Sequence, residues 1–173
     1  CFAGTYKKLF EKFGINGSVK ADFFLFFDEF MNSHNGLSSV EVQRTLSRRF
    51  VNLTGIMDPF EREKEESNQS SMALYKTWKP RVVDCPDPFN TALRLSIAGN
   101  IMDYGSNNSF EILSTIEKAL TADFAINHSK DLCRRIGSAK QILFLGDNAG
   151  EIVFDKLLIE TIMHENLIYA VKG

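Results

Sequence analysis

The chain has 173 residues, of which 44% are hydrophobic and 24% are charged. This is the profile of a globular protein that can bury one or two modest cores. Its formal net charge of -2 gives no electrostatic reason to expect a nucleic-acid or an anionic-membrane partner. No apolar segment approaches the roughly 20 residues of a membrane span, and the three widely spaced cysteines argue against a disulfide framework. We therefore expect a cytoplasmic protein with reduced thiols.

Helical signals dominate the first part of the chain. After a short first helix, a second is predicted from Ser18 to Ser33, and we expect it to be largely buried because apolar residues cover most of its circumference: Phe23, Phe24, Phe26, Phe27, Phe30 and Met31. Core packing is the favoured role for these phenylalanines over stacking on a cofactor. Ser38 and Glu41 form a capping-box pattern that begins a third helix, which stops at Gly55.

Two Asp-Pro pairs predict the next two helix starts. Asp58-Pro59 and Asp87-Pro88 each place a carboxylate at the N-cap and a proline at the first helical position, where its missing N–H costs nothing. The first pair would begin a polar helix and the second a more apolar one, with residues 79–86 as the linker between them. Shorter helices are predicted over 109–120 and 130–136.

The hydrophobic period changes after the helical part. Residues 141–145 form a short continuous apolar run, which is typical of a strand buried on both faces. Helical spacing resumes after a turn at 146–150, and strand character returns at 167–171, so the pattern predicts one βαβ unit with parallel strands. We divide the chain into a helical region, 1–125, and the start of a Rossmann-like α/β domain, 126–173, with a ligand loop at 146–151.

The loop between the first strand and its helix carries the strongest functional signal. Ligands of open α/β sheets bind outside the carboxyl ends of the strands, where the next helix points its N-terminus. Asp147 and Asn148 would supply hard oxygen ligands there for a divalent cation, while Gly146 and Gly150 would permit a tight turn and close approach to a ligand. Glu151 could orient water or a ligand hydroxyl. The alternative is that Asp147 or Asn148 only caps the helix.

Polar residues on two of the helices are weaker candidates. Asn100 and Asp103 interrupt an apolar helix at i and i+3, with Gly99 allowing close approach. Substrate contact and a buried hydrogen-bonded bridge between helices are equally favoured for Asn100. For the polar stretch 65–68, Glu-Glu-Ser-Asn, a solvated helix face is the preferred interpretation.

The segments LFLGDNAGEIVFDKLLIE, DPFNTALRLSIAGNIMDYG and KEESN resemble the metal-dependent damage-control phosphatases of the DUF89 family. The resemblance implies an N-terminal helical region packed on a Rossmann-like α/β/α domain, here truncated after the first βαβ unit. It also implies hydrolysis of phosphate monoesters of small metabolites, such as sugar phosphates. The partner would be the phosphorylated metabolite, and the remaining C-terminal part of the domain would complete the sheet.

Carried onto this sequence, the resemblance assigns a divalent metal ion (Mn, Co, Ni or Mg) to Asp147 and Asn148, which would also be the catalytic residues. It implies that Asn100 lines the site, and we group it with Asp103, Gly150 and Glu151 as candidate substrate-binding residues. The third metal-binding aspartate and a phosphate-binding lysine of the family would lie beyond Gly173.

Other mechanisms and functions remain open at the level of sequence. Attack on phosphorus could come from water or from a carboxylate, although the loop lacks the Asp-x-Asp signature of aspartyl phosphatases, which makes Asp147 the less favoured nucleophile. The rival functions are a nucleotide-binding or cofactor-binding Rossmann-like module, and a non-catalytic sensor of phosphometabolites or a purely structural fragment. The loop does not match the Gly-x-Gly-x-x-Gly turn of the first rival.

Overall fold

The computed structural model describes residues 2–33, 36–101 and 109–171. The chain divides into two compact units, Cys1–Phe60 and Glu61–Gly173. The predicted division after residue 125 follows the change in secondary structure and stays a prediction about domains. Within the described residues, no helix combines the length and apolarity that crossing a membrane requires.

The first unit consists of three helices: α1 (Phe2–Lys12), α2 (Ser18–Ser33) and α3 (Ser39–Thr54). The predicted capping box is confirmed at the start of α3, where the Ser38 side chain accepts a hydrogen bond from the Glu41 backbone N–H and the Ser38 N–H donates to the Glu41 carboxylate at 2.9 Å. Gly55 ends the helix with φ of 72°, a left-handed conformation that glycine adopts without strain.

The phenylalanines of α2 pack in the core of this unit, as predicted. Phe23 and Phe30 are buried and contact other aromatic rings, and Phe24, Phe26 and Phe27 are partly buried against the same cluster. Burial is less complete than expected, because Met31 and Leu25 on the remaining face of α2 are exposed.

The second unit contains the remaining elements, which are α4 (Glu61–Val83), α5 (Pro88–Ile101), α6 (Ser109–Thr121), α7 (Ser129–Ser138), β1 (Ile142–Leu145), α8 (Glu151–Ile162) and β2 (Leu167–Ala170). Its core includes Leu95 and Ala98 of α5, Ile116 of α6, and Phe154 and Leu157 of α8. The predicted βαβ unit is confirmed: β1 and β2 pair in parallel, with Ile142 opposite Leu167.

Two details of α4 correct the prediction. The helix begins at Glu61 rather than Pro59, because Asp58 closes a turn by accepting a hydrogen bond from the Phe60 N–H at 2.9 Å. The expected linker at residues 79–86 is helical as far as Val83, with Pro80 inside the helix. Buried Val82 anchors this last turn in the core, which favours continuing the helix past the proline.

The other Asp-Pro prediction is confirmed. Helix α5 begins at Pro88, and Asp87 accepts a hydrogen bond from the Asn90 N–H at 3.0 Å. This is the N-cap geometry that satisfies one of the free amides of a first helical turn.

The sheet is covered on one face only, which corrects the expectation that β1 is buried on both. Phe144 packs against the core with α8, whereas Leu143 and Leu145 are 61% and 70% exposed. Ile168, opposite Leu143 in β2, is also exposed. Within the described residues, the crossover helix lies on only one side of the strands, so side chains that alternate to the other side have no covering layer.

A polar cluster joins α4 to the C-terminal half of α8. The Glu160 carboxylate accepts hydrogen bonds from Tyr75 Oη at 2.6 Å, from Lys79 Nζ at 3.0 Å and from Lys156 Nζ. Burial acts to raise the pKa of Glu160, but these donors outweigh it and lower the pKa from near 4.5 to about 2. The cluster therefore favours the ionised carboxylate in the folded protein.

We expect Glu160→Gln to destabilise the protein at pH 7 but much less at pH 2. Because the folded-state pKa is depressed, the stabilisation is present above the ordinary value near 4.5 and is lost as the pH falls towards 2. Urea unfolding between pH 2 and 7 measures this. The exposed Glu165→Gln is the matched control, and an equal loss of stability at both ends of the pH range would contradict the assignment.

Candidate active site

The predicted ligand loop lies where the carboxyl end of β1 meets the N-terminus of α8. The Gly146 N–H extends the parallel ladder by donating to Ala170 O at 2.9 Å, and the chain then leaves the sheet. Asp147 and Asn148 follow immediately, and both side chains are exposed. The loop thus presents a carboxylate and a carboxamide at the edge of the sheet where open α/β proteins bind ligands.

The two glycines of the loop fit its local geometry. A Cβ atom on Gly146 would lie 2.6 Å from Cζ of Tyr169, a distance that side chains do not adopt. Gly150 immediately precedes α8 with φ of 82°, a conformation that strains residues with a Cβ. Close packing at Gly146 and the backbone conformation at Gly150 therefore support the predicted role of both glycines in a tight turn.

Glu151, the first residue of α8, connects the loop to α5. Its carboxylate accepts hydrogen bonds from Asn100 Nδ2 at 3.0 Å and from both the backbone N–H and Nδ2 of Asn148 at 3.2 Å. Glu151 is only 8% exposed. The structure thus shows the bridge between helices for Asn100, but Asn100 itself is exposed and not buried as that interpretation expected. A contact of Asn100 or Glu151 with substrate stays a prediction.

Asn68 of α4 also holds the loop. Its Oδ1 accepts a hydrogen bond from the Gly150 N–H at 2.8 Å, across 82 positions of sequence. The preferred interpretation of this stretch as a solvated face was therefore wrong for Asn68. Glu65 and Glu66 are exposed. In the described residues, Glu65 accepts a hydrogen bond from Gln69 and Glu66 accepts one from Arg62, both within α4.

The resemblance in KEESN was the only signal in the sequence that could have linked Asn68 to the loop. Asp103, the other polar residue predicted beside Asn100, lies outside the described residues. Gly99 behaves as expected: a Cβ there would be 3.2 Å from the Phe154 Cβ, so α5 and the first turn of α8 approach closely.

A second buried carboxylate lies one helical turn below the loop. Asp155 is 1% exposed and accepts hydrogen bonds from Ser96 Oγ at 2.6 Å and from Tyr169 Oη at 3.1 Å. Burial raises the pKa of Asp155 although these two donors act to lower it. Burial also raises the pKa of Tyr169, with the neighbouring carboxylate adding to the effect. Sequence reasoning missed this pair, since nothing local connects α8 to β2.

The first turn of α8 has fewer available amides than its position suggests. The Ile152 and Val153 N–H groups donate to Asn148 O and Gly150 O, and Gly150 donates to Asn68. Among the described residues, Ala149 and Glu151 are the amides of this turn for which no such bond is recorded. They are the candidates to meet an anion at the positive end of the helix.

The loop offers donors that fit a divalent cation. A carboxylate and an amide oxygen are hard ligands, and the Asn148 amide turns its nitrogen towards Glu151. Within the described residues, no group of three or more His, Cys, Asp and Glu side chains could hold a metal on its own. Asp147 and Asn148 therefore suit an open site that takes further ligands from elsewhere.

Comparison with known proteins decides the family. The model of the damage-control phosphatase ARMT1-like domain matches residues 6–173. The chain belongs to this family. As a family member it resembles a damage-control phosphatase from Archaeoglobus fulgidus, with 31% identity over 74% of the chain and 46% of the relative. An uncharacterized protein from Methanocaldococcus jannaschii is 34% identical over 67% of the chain and 40% of the relative.

A solved structure supports the predicted fold class of this ARMT1-like chain. The crystal structure of a DUF89 family protein from Pyrococcus horikoshii matches with a TM-score of 0.82 and 23% identity, covering 100% of this chain and 61% of that one. The helical region followed by a small α/β unit with two parallel strands is thus confirmed. The chain spans less than half the length of the two curated relatives just described.

Proposed function

We propose that the protein is a metal-dependent phosphatase that hydrolyses phosphate monoesters of small metabolites, such as sugar phosphates, in metabolite damage control. The supporting observation is the exposed Asp147-Asn148 pair at the carboxyl end of β1, directly before the N-terminus of α8. Membership of the family, with a relative named as a damage-control phosphatase, supports the same reaction. We place it in the cytoplasm, as the cysteine usage suggests.

Asp147 and Asn148 would hold the cation in this proposal. When bound, a divalent ion (Mn, Co, Ni or Mg) supplies Lewis-acid stabilisation for charge on the transferring phosphoryl group. The Ala149 and Glu151 amides at the positive end of α8 would bind phosphate oxygens and hold the phosphoryl group against the loop. Gly150, grouped above with the substrate-binding residues, is buried and donates its N–H to Asn68, so it would shape the loop rather than contact the substrate.

The C-terminal part of the domain would complete the site and the sheet. Two protein oxygens fall short of the roughly six ligands that such cations take, so the remaining ligands would come from solvent, substrate and that later segment. The exposed apolar face formed by Leu143, Leu145 and Ile168 would be covered by the same segment. The longer relatives have the additional chain that this requires.

The test uses the intact protein stripped of metal by a chelator. Phosphate release from a panel of sugar phosphates and p-nitrophenyl phosphate is measured before and after adding back Mn²⁺, Co²⁺, Ni²⁺ or Mg²⁺. We expect no release without metal and recovery with at least one ion, while circular dichroism shows that the fold is unchanged. Binding of sugar phosphate without release would favour a sensor, and release indifferent to chelation would contradict the metal assignment.

A further inference from the structure

The orientation of the Asn148 amide is imposed by a buried acceptor. A carboxylate can only accept hydrogen bonds, so an amide that contacts it must present its NH₂ group and turn its oxygen away. The Asn148 Nδ2 and backbone N–H both lie 3.2 Å from Glu151 Oε2. The Asn148 Oδ1 therefore faces away from Glu151, on the exposed side of the loop.

Asn100 fixes the carboxylate that imposes this orientation. Its Nδ2 donates to the other oxygen of Glu151, Oε1, at 3.0 Å. Both oxygens of Glu151 are thus engaged, one by α5 and one by the loop, and the side chain is only 8% exposed. A buried carboxylate with donors on both oxygens has little freedom to rotate.

The backbone around Glu151 is held from two further directions. Gly99 of α5 packs against the first turn of α8, where an added Cβ would lie 3.2 Å from the Phe154 Cβ and 3.4 Å from the Glu151 Cα. Asn68 of α4 accepts from the Gly150 N–H at 2.8 Å. The start of α8 is therefore clamped between α4 and α5, and its first carboxylate has a defined position below the loop.

We propose that Glu151, held by Asn100, is a positioning residue that presents Asn148 Oδ1, rather than its nitrogen, to the cation. This inference rests on the proposed function, because it assumes that the loop binds a metal. It assigns Asn100 and Glu151 an indirect role: they act on the metal through Asn148. An asparagine ligand needs such a partner, since its two amide ends are similar in size and only one of them can bind a cation.

The first test is Mn²⁺ affinity of the intact protein, measured by calorimetry. Glu151→Gln leaves a single acceptor oxygen for the donors that the two carboxylate oxygens share in the wild type. We therefore expect Mn²⁺ to bind about 10- to 100-fold more weakly. Glu165→Gln makes the same charge change at an exposed position and should bind as the wild type does. Asn100→Ala removes one donor without changing charge and should also weaken binding, which separates orientation from simple electrostatic attraction.

The second test does not depend on metal. In the metal-free protein, the side-chain NH₂ protons of Asn148 should exchange slowly with solvent by NMR, and Glu151→Gln should make them exchange rapidly. If wild-type protein binds Mn²⁺ and both variants match its affinity and exchange, the inference is overturned while the proposed function stands. If wild-type protein binds none of Mn²⁺, Co²⁺, Ni²⁺ and Mg²⁺ at the loop, the proposed function fails, and the exchange result alone decides the orientation.

Discussion

Asp147→Ala in the intact protein is expected to lower metal-dependent phosphate release about a thousandfold, because a bound cation contributes several kcal/mol of transition-state stabilisation. The substitution removes the only charged side chain in residues 146–150 and with it the proposed carboxylate ligand. The measurement is phosphate release at saturating metal, together with Mn²⁺ affinity. Thermal melting followed by circular dichroism measures the stability of the variant separately.

The matched control is Asp123→Ala, an exposed aspartate ahead of α7 that should leave both phosphate release and metal affinity unchanged. The competing interpretation of Asp147 as a helix cap makes the opposite prediction. A lost cap costs about 1 kcal/mol of stability and leaves the chemistry intact. An Asp147→Ala variant that melts earlier yet keeps its metal-dependent turnover would therefore reduce Asp147 to a cap.

Asp155→Ala is expected to destabilise the protein by about 2–4 kcal/mol, since it leaves buried donors unpaired and opens a cavity. Ser96 and Tyr169 both lose their acceptor on the 1% exposed Asp155. Because Tyr169 packs against Gly146, we also expect weaker metal binding at the loop. Urea unfolding and calorimetry with Mn²⁺ measure the two effects.

Asp155→Asn should be much milder, because its amide can still bond both hydroxyl groups. The pH dependence has a defined sign. Burial raises the pKa of Asp155 in the folded state, so the proton favours folding, and this contribution is lost as the pH rises from about 4 through the raised value. Asp155→Asn cannot ionise, and its stability relative to the wild type should therefore improve as the pH rises through that window.

The surface substitution Asp131→Ala is the control for the loss of an aspartate from a helix. Asp131 pairs with Arg134 on the exposed side of α7, and such pairs contribute about 0–1 kcal/mol. If Asp155→Ala cost no more than Asp131→Ala, the buried network would not stabilise the fold as the structure indicates.

The position of the ligand loop could be predicted because its signals are local. An apolar run ending in Gly-Asp-Asn-Ala-Gly-Glu, followed by helical spacing, predicts a strand, a turn and a helix N-terminus. The structure has β1 and α8 on the two sides of this turn, and β2 pairs with β1 in parallel. Metal binding by Asp147 and Asn148 stays a prediction, because their oxygen chemistry suits a cation while the structure adds only their exposure and position.

The partners of the loop could not be predicted in the same way. Asn68 reaches Gly150 across 82 positions, and Asn100 reaches Glu151 across 51. Within α4, Asn68 follows two glutamates that are solvated, so its sequence neighbourhood favoured the wrong assignment. The resemblance in KEESN pointed to the stretch but not to the atom that it binds.

Features that depend on residues within about four positions of each other could be predicted without the structure, as in the Ser38-Glu41 capping box and the helix start at Pro88. The tertiary structure alone decided that α4 continues through Pro80 and that one face of β1 is open. It also decided that Asp155 is buried between Ser96 and Tyr169. Caps and turns follow from local backbone geometry, whereas burial and buried hydrogen bonds depend on which distant elements pack together.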